Sequence, residues 1–107
     1  LLRASEEGEI MFARVLRIQI HLDRIDEASK LFKNQVVPSI KAIKGHIDAK
    51  FMADRKTGNC VLITTWKTEK DLLETERSRL FQEQLVKFMQ FFITPPIREI
   101  YEVLYTE

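Results

Sequence analysis

Hydrophobic and polar residues alternate from Met11 to Leu22 (MFARVLRIQIHL), with Leu16, Ile18, Ile20 and Leu22 in one phase and Arg17, Gln19 and His21 in the other. A period of two over that length predicts a strand with one apolar face. It ends at Asp23, a residue type suited to capping a helix. From Asp23 to Lys44 the period changes: Ile25, Ala28, Leu31, Phe32, Val36, Ile40 and Ile43 recur at mostly three- and four-residue steps, the stripe of an amphipathic helix. Pro38 lies inside that stripe and removes a donor for the Asn34 carbonyl, which predicts a kink. Gly45 suits the left-handed residue that closes a helix.

Alternation resumes over His46–Ala53, with Ile47, Ala49, Phe51 and Ala53 against His46, Asp48, Lys50 and Met52. The polar run at 54–59 reads as a hairpin connection. Residues 60–66 (CVLITTW) are β-branched and apolar, as in a central strand. Thr68 and Asp71 stand at capping-box spacing before a second helix, which breaks near Ser78, another good cap. Phe81, Leu85, Phe88 and Phe92 form its apolar stripe, Pro95-Pro96 ends it, and 97–106 (IREIYEVLYT) is a last strand.

The order is β-α-β-β-α-β. Two right-handed crossovers joined by a hairpin give an α+β, ferredoxin-like fold: a four-stranded antiparallel sheet in the order fourth, first, third, second, with the helices on one face. Parity turns Leu16, Ile18, Ile20, Leu22, Ile47, Ala49 and Phe51 toward the helices. The other face then carries Arg17, Gln19, His21, His46, Asp48, Lys50 and Met52, joined by Leu62, Thr64 and Trp66 if the third strand is phased that way. A face mixing Trp, Met and Leu with charges marks an interface or pocket. The expectation is a homodimer in which two such faces pack into a dimeric α+β barrel.

Charge narrows the partners. Seventeen basic and sixteen acidic residues leave +1 on 107 residues, no field to gather nucleic acid or a membrane surface. No apolar run approaches the ~20 residues of a membrane span. Cys60, the single cysteine, cannot form an internal disulfide or a thiolate metal site, which suggests a reducing, cytoplasmic setting. Residues 1–10, broken by Glu6, Glu7 and Glu9, read as an N-terminal tail, and 11–107 as one domain.

The candidate chemistry centres on two histidines. The expected topology runs the first and third strands parallel and the second opposite to the third, which gathers His21, His46 and Trp66 at one end of the sheet. Either imidazole is then placed to take a proton from a phenol, as catalytic base. Trp66 is the platform on which a flat substrate stacks, and Arg17, Gln19 and Thr64 complete the substrate-binding set. Their alternative roles are structural: rim hydrogen bonds for the histidines, a core or interface anchor for Trp66. No metal-ligand spacing, glycine-rich phosphate loop or nucleophile elbow is present, so no metal and no cofactor is expected.

Three segments, VVPSIKAIKGH (residues 36–46), DRKTGNCVLITTWKTEKDL (54–72) and PPIREIYEV (95–103), resemble the antibiotic-biosynthesis-monooxygenase-like dimeric α/β barrels. The resemblance implies a dimeric barrel and, through the family's cofactor-free oxygenases of polycyclic phenols, a cofactor-independent monooxygenase acting on a small aromatic or quinone-like substrate. The alternative within the same group is a non-catalytic, small-molecule-binding or stress-related dimeric module.

Overall fold

The first alternating stretch forms strand β1 (Phe12–Gln19) in a computed structural model that describes residues 10–107. Apart from Ile10, the tail expected at 1–10 lies outside the described residues. β1 stops earlier than the alternation. Ile20 keeps only an isolated bridge to Phe92, and its N–H bonds the Gly58 carbonyl at 2.9 Å. A 3-10 turn at Leu22–Arg24 follows, so Asp23 lies within that turn and caps nothing. Leu22, expected under the helices, is exposed.

The long apolar stripe becomes α1 (Ile25–Leu31), a π-helical turn (Phe32–Val36) and α2 (Val37–Lys41). Pro38 does not simply kink the helix. The turn before it widens, so that the Val37 N–H reaches the Phe32 carbonyl five residues back. Pro38 then falls in the first turn of α2, where a missing N–H costs nothing. Gly45 takes φ +85°, the left-handed closure the sequence predicts.

β2 (His46–Ala53) and β3 (Asn59–Trp66) form the hairpin. α3 (Glu69–Thr75) begins at Thr68, whose side chain accepts the Asp71 N–H at 3.0 Å. α4 (Arg79–Phe88) begins at Ser78, whose hydroxyl accepts the Phe81 N–H at 3.2 Å. β4 (Ile97–Glu102) completes the sheet, shorter than the run to Thr106.

The sheet order is β2-β3-β1-β4 with every neighbour antiparallel, as the fold class requires. Two expectations fail. β1 and β3 are antiparallel, not parallel: the helical crossover brings β2 back in the direction of β1, and the hairpin then reverses β3. Nor is there a barrel. β2 and β4 each have one hydrogen-bonded neighbour, so the four strands form an open sheet with two edges, where closure takes about eight strands.

Both helical layers cover one face. Trp66, Phe88, Phe91, Ile20, Ile40 and Leu72 are its largest fully buried side chains. Register fixes the phase of β3: Thr64 lies opposite Arg14, Leu62 opposite Leu16, and Cys60 opposite the buried Ile18. Leu62, Thr64 and Trp66 therefore belong to the covered face. A bulge between His46 and Asp48 shifts β2 by one residue. It puts His46 in register with Trp66 and leaves Ile47 exposed. The uncovered face carries half-buried Val15, Val61 and Ile63 beside exposed Met52 (46%) and Tyr101 (48%).

Candidate functional site

Between sheet and helices lies a cavity of about 320 Å³. β1 contributes Arg14 and Leu16 to it, β3 Leu62 and β4 Arg98; the helical side gives Val36, Phe81 and Leu85, with Glu76 and Gln82 at the polar edge. Its walls are apolar except for those four polar chains. Val36 is the last residue of the π-helical turn, so the widening at Pro38 shapes the cavity wall. Such turns recur at functional sites.

Arg14 is the unusual member. Its side chain is 7% exposed, and its guanidinium lies 5.1 Å from the centre of the Phe81 ring, a cation–π stack. Nη1 stands 3.5 Å from Glu76 Oε2, while Nη2 is buried with no hydrogen-bond partner. Arg98 Nε donates to the same Glu76 oxygen. Burial pulls the Arg14 pKa below its ordinary value, Glu76 opposes the fall, and neighbouring Arg98 adds to it. A buried, incompletely paired cation is expensive to fold. The sequence carries the signal: Arg14 shares the phase of Leu16, Ile18 and Ile20, a charge on the apolar face of its strand.

The residues singled out from sequence fall into two groups. His46, Trp66 and Thr64 come together at the β1-start end of the sheet. The His46 and Trp66 rings meet edge-on at 5.4 Å, and Trp66 Nε1 donates to Thr64 Oγ1 at 3.0 Å. Trp66 and Thr64 are fully buried. His46 Nδ1 is buried without a partner; desolvation lowers the ring's pKa, against the pull of Asp48. None of the three lines the cavity, although Thr64 pairs in register with Arg14.

His21 is exposed at the opposite end of the sheet, because antiparallel pairing sets Gln19 opposite Asn59 and Phe12 opposite Trp66. Arg17 and Gln19 border a separate depression with Thr94, Pro95 and Ile97. Arg17 Nε donates to Glu99 at 2.8 Å, and Gln19 Nε2 reaches the Thr57 carbonyl at 3.5 Å. Among the described residues, no group of three His, Cys, Asp or Glu is placed to hold a metal. None of their helices is long and apolar enough to cross a membrane.

Known proteins resemble this chain, some in sequence and others in fold. Two uncharacterized proteins of Mycobacterium tuberculosis are each 31% identical over 66 residues, 62% of this chain and 30% of theirs. The chain thus spans about 30% of the length of the curated relatives it matches. A conserved protein of Methanosarcina mazei superposes with a TM-score of 0.75 at 19% identity, covering 86% of this chain and 91% of that one. A cofactor-independent oxygenase of Streptomyces nogalater superposes at 0.74 with 12% identity, over 90% and 95%. At such identities the likeness is one of fold. Residues 11–84 match the family model for antibiotic biosynthesis monooxygenases, and the chain belongs to that family.

Proposed function

We propose that this chain is a cofactor-independent oxygenase of a small aromatic or quinone-like substrate, held in the cavity between sheet and helices. The observation that carries the reading is the cavity itself: about 320 Å³, apolar-walled, with its polar groups gathered at one side. That is the usual form of a small-molecule site, at the small end of the ~300–1,000 Å³ range. The family, and the fold shared with the Streptomyces oxygenase, agree with it.

Without a cofactor, the substrate itself supplies the electrons that reduce O₂, and it does so more readily once deprotonated. Glu76 is the carboxylate that lines the cavity and is the group placed to accept that proton. His46, the other candidate base, lies beside Trp66 outside the cavity lining, so with Trp66 and Thr64 its part is to support the wall rather than to take the proton directly. One observation favours a second reading, a non-catalytic binding module: Glu76 is already engaged by Arg14 and Arg98. Oxygen uptake with a panel of polycyclic phenols separates the two. Turnover that Glu76→Gln abolishes supports the oxygenase, and saturable binding with no uptake by any phenol supports the binder.

We infer further that two copies associate through the uncovered sheet face, where Val15, Val61, Ile63, Met52 and Tyr101 present apolar surface. A monomer in sedimentation at micromolar concentration would refute this. Cys60, a buried thiol whose pKa burial raises, fits a reducing cytoplasmic setting.

A further inference from the structure

The uncovered sheet face carries charges as well as apolar side chains, and the strand register places them. Across β3 and β1, Asp48 on β2 lies level with Tyr101 on β4, Lys50 with Glu99, and Met52 with Ile97. β2 and β4 are the two edges of the sheet, so these six side chains flank the apolar centre of Val15, Val61 and Ile63. Among the described residues, neither Lys50 nor Asp48 takes part in an ion pair. Glu99 meets Arg17 through Oε1, which leaves Oε2 open to a second cation.

Two copies that pack aligned sheets through this face can close with two-fold symmetry in two ways, because the axis lies in the plane between the sheets. An axis across the strands sets each strand over its own counterpart and reverses the levels. Lys50 then faces Lys50 and Glu99 faces Glu99, like charges that repel. An axis along the strands exchanges β2 with β4 and keeps the levels. Lys50 then faces Glu99, Asp48 faces the Tyr101 hydroxyl as its donor, and Met52 faces Ile97. We propose that two copies associate in this second arrangement, with Lys50 of each copy paired to Glu99 of the other. The inference rests on association through the uncovered face, and the charges select its geometry. Packed sheets lie about 10 Å apart, a gap that a lysine and a glutamate bridge together. The pairs form a polar rim around an apolar centre, and rim charges set orientation more than affinity.

Charge exchange tests the arrangement by sedimentation equilibrium, with each variant checked for a native circular-dichroism spectrum. Lys50→Glu alone and Glu99→Lys alone each put two like-charged contacts into the dimer and should weaken it about 10- to 100-fold. An equimolar mixture of the two variants, and the double variant Lys50→Glu/Glu99→Lys, should both recover the wild-type affinity, since each restores two opposite-charge contacts. Lys50→Glu leaves the Arg17–Glu99 pair untouched and is decisive by itself: unchanged affinity overturns the proposal. If the mixture is then tighter than wild type, the axis runs across the strands. Weakened single variants with no recovery in the mixture or the double variant also overturn the proposal, because the two positions then do not face each other. Each of these results leaves association through the sheet face standing. A wild-type protein that stays monomeric at micromolar concentration overturns both.

Discussion

Gly45 and Asp71 touch where any other residue at position 45 would place its side chain: a Cβ on Gly45 would fall 2.1 Å from Asp71 Oδ2 and 2.5 Å from Asp71 Cβ. The glycine also holds φ +85°, and its carbonyl accepts the Lys67 N–H at 2.8 Å. It thus joins the end of the first helical layer to the start of the second. Left-handed strain and overpacking together predict that Gly45→Ala costs about 2–4 kcal/mol in urea denaturation. Asp71→Ala in the same chain should not restore stability, because the Asp71 Cβ, not only its carboxylate, stands in the way.

His46 should titrate below its ordinary 6.5, since desolvation is the largest influence on it. Between that lowered value and 6.5 the unfolded chain binds more protons than the folded one, so stability falls as pH drops through this window. Above 6.5 the contribution is complete, and below the folded value it is gone. Trp66 is the sole tryptophan and meets the imidazole edge-on, so its fluorescence should report the same midpoint. A midpoint at or above 6.5 by ring-proton NMR, or a fluorescence step that survives His46→Gln, would contradict this account.

Much of the fold was legible because its periods are clean: alternation marks β1 and β2, and the caps at Thr68 and Ser78 lie where their residue types predict. The site was less legible, for two physical reasons. The bulge between His46 and Asp48 changes phase within a single strand, and no alternation count reveals an extra residue of that kind. Strand direction decides which ends meet, and antiparallel β1–β3 pairing sends His21 away from Trp66. Arg14 was visible in principle. A charge in phase with Leu16 and Ile18 breaks the pattern of an apolar face, and such breaks are where function is expected.

Thr64→Val should destabilise the fold although it preserves shape. The Thr64 hydroxyl accepts the Trp66 indole N–H at 3.0 Å inside the core, and valine leaves that donor buried and unpaired. A loss of about 1–3 kcal/mol follows. Trp66→Phe removes the donor, so adding Thr64→Val to Trp66→Phe should cost much less than Thr64→Val alone. Additive losses in the double-mutant cycle would show that the bond contributes nothing.

Arg14→Met tests whether a buried, incompletely paired arginine holds the fold together. Removing one partner of a buried ion pair usually costs ~3–5 kcal/mol, because the other charge is stranded. Glu76 is not stranded here: it keeps Arg98, and its side chain is one-third exposed. The change also removes a desolvated cation with an orphaned Nη2 and puts an apolar chain of similar length against Leu16 and Phe81. The lost stack on Phe81 opposes this gain by about 0.5–2 kcal/mol. Stability by urea denaturation should therefore shift by no more than ~1 kcal/mol in either direction. A drop of the size expected for a broken buried pair would mean that Arg14 holds the fold together.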